Sequence, residues 1–211
     1  MNDHHADYDT GQSTDATNPR PKKEDRRVRR TKKLLTQALT QLLEEKQIKD
    51  ITVRELTDLA DMNRGTFYLY YRDIFDMLER IEGELFDSLE QIFAKHAPEE
   101  ILHLSGTLMT ELFTFIADNQ DICRVLLSPH GDMQFLHSLN HVIRNHCLDL
   151  WKTAEPGLPE SLFEYAYSFV VFGVAGVIRN WLNRGCPESA DEMARNVDAM
   201  VHGIHMDLKL S

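Results

Sequence analysis

Apolar side chains recur at helical spacing along most of this chain, and that periodicity limits its possible folds more than any other feature. In the first such segment they form one stripe of an amphipathic helix: Leu34, Leu35, Ala38, Leu39, Leu42 and Leu43. Turn-forming clusters separate the later segments, and none alternates apolar and polar residues as a half-buried strand does. The sequence predicts an all-α protein with helices over about residues 34–46, 53–60, 64–71, 73–96, 99–118, 121–127, 132–151, 159–183 and 189–208.

Short motifs mark several helix starts. Thr52 and Glu55 have the spacing of a capping box, and so do Ser189 and Glu192. Asn63 is a good N-cap for the third helix. Only a short polar break separates the second and third helices, so the first three helices form a helix-turn-helix arrangement.

Charge is distributed very unevenly along the chain. The net charge is −11, yet residues 20–72 carry fourteen Lys or Arg against eight Asp or Glu, and residues 73–211 carry nine against twenty-two. A basic module joined to an acidic body suggests nucleic-acid binding by the module alone. We therefore predict a disordered tail at 1–21, a DNA-binding domain with a basic arm at 22–72, and a helical regulatory and dimerisation domain at 73–211.

Several other classes of protein fit poorly. The three cysteines are widely spaced, which favours a reducing compartment, and the N-terminus resembles no signal peptide. The longest uninterrupted apolar run, residues 169–178, is shorter than the roughly 18–20 residues of a membrane span. A cytoplasmic protein without a membrane partner is expected. An enzyme would need a clustered acid/base or ligand motif such as HExxH, which is absent, so no enzymatic activity and no cofactor are predicted.

The histidines and aromatic residues of the C-terminal domain invite further interpretations. His137, His141, His146 and Cys147 have a loose metal-ligand spacing, which solvated helix positions explain better, so no metal site is predicted. Cys123 and Cys147 as a redox pair are no better supported. Eight aromatic residues could line a pocket, but for most of them core packing is the better interpretation: Phe113, Phe115, Phe135, Trp151, Phe163, Tyr165, Tyr167 and Phe169.

The third helix combines an apolar side with a polar one. Phe67 and Tyr71 are four residues apart and are expected to pack inward on Leu56 and Met62. The outward positions then hold Arg64, Thr66, Tyr68 and Tyr70. Hydroxyl groups donate to phosphates, and arginine binds guanine bidentately in the major groove. Gly65, in the first turn, would let backbone N–H groups approach a phosphate.

Residues 51–56 and 60–71 resemble the DNA-binding domain of TetR/AcrR-type regulators, with a specific match over roughly 45 residues. The resemblance implies phosphate contacts from Thr52, Thr66, Tyr68 and Tyr70, and base contacts from Arg54, Arg64 and Leu69. It also implies a homodimer, formed by the last two helices of each subunit, on a near-palindromic double-stranded DNA operator with half-sites about 34 Å apart. The implied dimer interface consists of Val170, Val174, Ile178, Trp181, Leu182, Met193, Val197, Met200, Val201 and Ile204.

In that family a small molecule usually enters the C-terminal domain, shifts the fourth helix and releases the DNA. The sequence leaves open the effector and the choice between repressor and activator. Two positions depart from the family pattern: Asp61 stands where Gly is usual, and Ile74 where a phosphate-binding Lys is usual, with Arg72 as a partial substitute. These departures keep open an adaptor that has lost DNA binding. Residues 70–73 look like the branch that regulates dihydroxyacetone kinase operons, which keeps open a regulator controlled by a protein partner.

Overall fold

The computed structural model describes residues 26–128, 133–154 and 159–208, and in these ranges it contains ten α-helices and no strand. The helices are α1 (Arg26–Glu45), α2 (Val53–Leu59), α3 (Arg64–Tyr68), α4 (Ile74–Lys95), α5 (Pro98–Leu102), α6 (Gly106–Asp118), α7 (Gln120–Leu126), α8 (Met133–Ala154), α9 (Glu160–Asn183) and α10 (Ala190–Leu208). The all-α prediction is confirmed. The predicted disordered tail lies outside the described residues, as do arm residues 22–25.

The prediction of one helix over residues 99–118 is wrong, because the chain breaks between α5 and α6. Leu104 has φ +48°, and the Ser105 N–H donates to the Glu100 carbonyl at 2.8 Å, which closes α5. The Ser105 hydroxyl then accepts from the Leu108 N–H at 3.3 Å and caps α6. Apolar residues continue through the break, so their periodicity did not reveal it.

One core joins the helix-turn-helix to the rest of the protein. Leu35 and Leu39 of α1, Leu56 of α2 and Phe67 of α3 are fully buried in it. The same cluster takes in buried residues of α4, α7 and α8: Ile74, Met77, Leu78, Ile81, Leu85, Ile122, Leu126 and Phe135. The start of α4 is therefore packed against α1, α2 and α3 by apolar contacts, and α4 continues from there towards the other helices.

A second core forms where α6, α9 and α10 meet. Its centre is an edge-to-face pair, with the ring centroids of Phe113 and Trp181 5.4 Å apart. The Trp181 indole N–H donates to the Glu188 carbonyl at 3.1 Å, so this buried side chain is fully satisfied. Met193, Val197 and Val201 of α10 complete the cluster. A third cluster, centred on Leu89, Phe93 and Leu108, connects α4 with α5, α6 and α8.

Candidate nucleic-acid interface

The predicted capping box at the start of α2 is present. The Thr52 hydroxyl accepts from the Glu55 N–H, and the Glu55 carboxylate accepts from the Thr52 N–H, both at 3.2 Å. The Thr52 hydroxyl also lies 3.0 Å from the Glu55 carboxylate, to which it donates. Lys46 and then Thr52 hold the pKa of Glu55 below its usual range. Both hydrogen-bond donors of Thr52 therefore point at Glu55, and a phosphate contact would have to displace that carboxylate.

The turn between α2 and α3 is a Schellman motif. The Met62 N–H donates to the Thr57 carbonyl at 2.9 Å, and the Asp61 N–H donates to the Asp58 carbonyl at 3.3 Å. This pattern places the residue between Ala60 and Met62 in the left-handed region, and Asp61 has φ +52°. The departure from Gly noted in the sequence thus falls on the position where Gly is conformationally preferred.

The start of α3 is capped as predicted, and the backbone N–H of Gly65 takes part in this cap. The Asn63 side-chain oxygen accepts from the Gly65 N–H at 2.7 Å. That N–H is consequently occupied, which argues against the phosphate contact predicted for the Gly65 backbone. A Cβ on residue 65 would lie 3.2 Å from the same oxygen, so the glycine leaves room for the cap. The helix ends at Tyr68, earlier than the predicted residue 71.

The two sides of α3 are separated as the sequence predicted. Phe67 and Tyr71 are buried, with ring centroids 5.5 Å apart, against Leu56 and the partly buried Met62. On the outer side Arg64 is exposed, Tyr68 is 58% exposed, and Leu69, just past the helix end, is 77% exposed. Thr66 and Tyr70 are partly buried at the edges of this surface. We call the outer side the reading face: Arg64, Thr66, Tyr68, Leu69 and Tyr70.

Basic side chains are exposed at the start of α1. Arg26, Arg27, Arg29, Arg30 and Lys33 are all exposed there. Arg54, in the first turn of α2, is also exposed, and its Nε lies 3.6 Å from the Asp58 carboxylate. Opposite charges at exposed positions hold each other weakly, so the Arg54 guanidinium is free to move to another partner.

The structure revises the prediction for the start of α4. Ile74 is buried in the core below the helix-turn-helix, so this position has an apolar packing role instead of facing a phosphate. Arg72 keeps an exposed guanidinium, but its Nη2 lies 3.0 Å from the buried carboxylate of Asp76. Asp76 was not singled out in the sequence. The signal available was an acid flanked by arginines four residues away on each side, Arg72 and Arg80.

Half of the predicted dimer interface lies in the core of the protomer. Trp181, Leu182, Met193, Val197 and Val201 are buried within it. Val170, Val174 and Ile178 are partly buried against the second core, Met200 is exposed, and the side chain of Ile204 lies outside the described residues. The exposed apolar side chains here belong to Tyr165, Phe169 and Phe172 of α9, together with Met200 of α10. These four define the outer face. Tyr165 and Phe169 are therefore exceptions to the core packing expected for most of the eight aromatic residues.

The outer face makes α9 unusual in this fold. Glu160–Asn183 is long and apolar enough to cross a membrane by length and composition, and only 11% of its most apolar window is buried. Phe163, Tyr167, Trp181 and Leu182 of the same helix are nevertheless buried. The helix therefore has one side in the core and another apolar side that is exposed.

His146, Cys123 and Cys147 have ordinary structural roles. His146 lies 2.6 Å from the Glu90 carboxylate and stacks on Phe93. Burial raises the pKa of Cys123 to about 12 and that of Cys147 to about 11, so both are protonated and unreactive at neutral pH. Within the described ranges no three His, Cys, Asp or Glu side chains are grouped to hold a metal ion.

Comparison with known proteins finds a family model and a curated relative. Residues 106–203 match a TetR-type family model described as "Transcriptional regulator C-terminal region". An uncharacterized HTH-type transcriptional regulator, YxbF of Bacillus subtilis (strain 168), is 27% identical over 95 residues, which are 44% of this chain and 25% of that protein. The matched region thus spans about a quarter of the length of that relative.

Solved structures share the fold. A TetR transcriptional regulator from Streptococcus agalactiae 2603V is 22% identical with a TM-score of 0.54, covering 84% of this chain and 97% of its own. The transcriptional regulator FadR from Bacillus subtilis, in complex with stearoyl-CoA, is 15% identical with a TM-score of 0.54. The match covers 80% of this chain and 96% of FadR. At these identities the likeness establishes the fold. The helix-turn-helix motif, the shared fold and the C-terminal family match together support a transcriptional regulator similar to those of the TetR/AcrR family.

Proposed function

We propose that this regulator is a homodimeric, sequence-specific repressor that binds a near-palindromic operator through α3. The observation that carries the proposal is the reading face. Arg64, Tyr68 and Leu69 project outward from a helix whose opposite side, Phe67 and Tyr71, is fixed in the core. A rigid short helix after a tight turn is how helix-turn-helix proteins present side chains to the major groove.

Each side chain of the reading face has a role that fits its chemistry. Arg64 is assigned to guanine, whose O6 and N7 accept two hydrogen bonds, and Leu69 to an apolar contact such as a thymine methyl. Thr66, Tyr68 and Tyr70 are assigned to phosphates as hydroxyl donors. Arg54 is also assigned to base edges. Thr52 is retained as a phosphate contact that requires Glu55 to move, and Gly65 as the residue that permits the cap.

The exposed arginines at the start of α1 support this assignment through charge. Residues 26–33 carry five exposed cations, and Lys32 in the same segment lines one cavity with Leu69 and Tyr70, whereas the chain beyond residue 72 is strongly acidic. Lys and Arg near phosphates release counterions, which gives DNA binding a steep salt dependence. We therefore assign residues 22–72 to DNA binding and residues 73–211 to dimerisation and regulation, in a protein of the cytoplasm.

The outer face of α9 and α10 supports dimerisation. Phe172, 68% exposed, would be covered in a symmetric pair of helices together with Tyr165 and Phe169. A four-helix bundle of α9 and α10 from two subunits buries this apolar surface. We favour a second copy over a lipid bilayer because the inner side of the same helix belongs to the second core.

We further propose that a small-molecule effector taken up by the C-terminal domain releases the operator. FadR, which shares this fold, was solved with stearoyl-CoA bound, so helical domains of this architecture accommodate such ligands. Control by a protein partner is the alternative. If a deproteinised cell extract weakens DNA binding, a small-molecule effector is supported. If a whole extract weakens DNA binding and loses this effect when its proteins are removed, a protein partner is supported.

The proposal is tested by selecting binding sites from random DNA and titrating the best duplex at two salt concentrations. Wild-type protein is expected to enrich a near-palindrome and to bind it less tightly at the higher salt. Arg64→Ala should abolish the enrichment of one base pair in each half-site. Lys95→Ala removes the same charge from the far end of α4 and should bind as wild type does. No enrichment by the wild-type protein would contradict the proposed function.

A further inference from the structure

A buried carboxylate fixes the turn that follows the recognition helix. Asp76 lies in the first turn of α4 and its side chain is only 5% exposed. One of its oxygens, Oδ2, accepts from the backbone N–H of Arg72 at 3.0 Å, and the other, Oδ1, accepts from the Arg72 Nε at 3.1 Å. The N–H of Arg72 holds the pKa of Asp76 below its usual range, so the carboxylate is ionised at neutral pH. Asp76 therefore attaches the chain just after α3 to α4.

Arg80, one turn further along α4, completes this arrangement. Its Nε lies 3.2 Å from Asp76 Oδ2 and its Nη2 lies 3.4 Å from Oδ1. The guanidinium carbon of Arg80 is 5.9 Å from the centroid of the Tyr71 ring. Asp76 thus orients Arg80, and Arg80 covers one of the two aromatic side chains that anchor the recognition helix.

The geometry makes the reading face depend on these contacts. The helix α3 has five residues, which is too short to hold its own position by helical hydrogen bonding. Leu69 and Tyr70 lie between the end of α3 and Arg72, so any displacement of Arg72 moves both. The buried carboxylate of Asp76 is strongly favoured in one arrangement, because losing its hydrogen-bond and ion-pair partners would leave a buried charge without compensation.

We propose that Asp76 is a positioning residue for DNA recognition, which holds the reading face against α4 through Arg72 and Arg80. The inference rests on the proposed function and extends it, because it assigns an influence on DNA affinity to a residue outside the reading face. It also names the contact through which a movement of α4 would reach the reading face.

The proposal makes a prediction opposite in sign to that of long-range electrostatics. Removing an acid from a DNA-binding protein lowers its repulsion from the phosphates and should tighten binding. The Asp76→Asn substitution removes such an acid. We nevertheless expect this variant to bind the operator about tenfold or more weakly, because the turn after α3 loses its ion pairs with a buried carboxylate. Glu79→Gln, at an exposed position on the same helix, removes the same charge without this contact and serves as the matched control.

Amide hydrogen exchange separates local positioning from general destabilisation. In Asp76→Asn, exchange should rise in peptides covering residues 64–72 and remain unchanged in peptides from α6 and α10. This measurement needs no DNA, so it still tests the positioning role if wild-type protein binds no operator, in which case the proposed function fails separately.

The combined outcomes decide the matter. Weaker binding by Asp76→Asn than by Glu79→Gln, with faster exchange confined to residues 64–72, supports the proposal. It is overturned if Asp76→Asn binds as tightly as Glu79→Gln. A rise in exchange throughout the protein would also overturn the proposal, because loss of a residue that only stabilises the fold has that effect. Unchanged exchange in residues 64–72 would overturn it as well.

Discussion

The backbone N–H of Met62 donates to the carbonyl oxygen of Thr57 at 2.9 Å, and this bond closes α2 in a turn that suits glycine better than aspartate. The residue inside the turn, Asp61, has φ +52°. A side chain in this region is strained, although aspartate and asparagine tolerate it better than most residues. The same side chain places a negative charge beside the proposed DNA interface.

Replacing Asp61 separates the effect of charge from that of conformation. Asp61→Asn removes the charge and keeps a side chain, so it should tighten DNA binding with little change in stability. Asp61→Gly should tighten binding similarly and also stabilise the fold by about 0.5–1 kcal/mol, because glycine accepts positive φ without strain. Thermal unfolding and operator titrations check both variants. A loss of stability in Asp61→Gly would contradict the conformational argument.

Tyr68→Phe tests the division between phosphate and base contacts. The ring of Tyr68 is 58% exposed and packs edge-to-face on Phe67, with centroids 5.4 Å apart, so phenylalanine should leave the helix in place. Loss of one hydroxyl donor should weaken binding to all sequences alike, by about 1 kcal/mol. Titrations against the selected operator and single-base variants check this. A change confined to one base pair would mean that Tyr68 reads sequence.

Phe172→Asp tests the proposed dimer face. An unpaired charge placed in an apolar interface is costly to bury, so the dimer dissociation constant should rise by about a hundredfold or more. The protomer should remain folded, because Phe172 is 68% exposed. Gln91→Asp adds the same charge at an exposed position on α4 and should leave the dimer intact. Analytical ultracentrifugation decides, and an unchanged dimer in Phe172→Asp would rule out this face.

Trp181→Ala should lower the stability of the folded protomer, whereas Phe172→Asp should weaken the dimer. The side chain is 2% exposed and packs against Phe113 in the second core. Its truncation should destabilise the fold by about 3–5 kcal/mol, through lost burial and the cavity left behind. Denaturant unfolding of a monomeric background such as Phe172→Asp measures this without a contribution from assembly. A loss below about 1 kcal/mol would show that Trp181 is not a core residue.

The pH dependence of stability should follow the helix caps. The N–H and hydroxyl of Ser189 hold the pKa of Glu192 below its usual value of 4.5. A carboxyl group with a lowered pKa in the folded state stabilises the protein above its unfolded pKa, and that contribution is lost as the pH falls through the folded pKa. Thermal stability should therefore decline below about pH 4.5, and less steeply in Glu192→Gln than in Glu79→Gln. Parallel declines would contradict the assignment.

The sequence was sufficient wherever a local rule determines structure. Thr52, Asn63 and Ser189 cap helices as predicted, because a side-chain acceptor followed by free N–H groups leaves few alternatives. Phe67 and Tyr71 are buried as their four-residue spacing predicted. The opposite side of α3 follows from the same periodicity, which is why the reading face could be named before its geometry was known.

The remaining features depend on tertiary packing. On α9 both sides are apolar, so periodicity could not tell that Trp181 faces the core while Phe172 faces outward. Leu104 takes a positive φ that no sequence rule favours for leucine, and the break between α5 and α6 was missed. The spacing of Asp76 from Arg72 and Arg80 was visible in the sequence, but the burial of its carboxylate was not.

The outer face of α9 has a genetic consequence in the proposed dimer. Since the face pairs with itself, copies of the chain that differ only in α3 would mix freely in one cell. With equal amounts of intact and head-defective copies, about a quarter of the dimers would keep two working heads. A defect in the reading face should thus be dominant over the normal allele, whereas a Phe172→Asp copy, unable to pair, should be recessive.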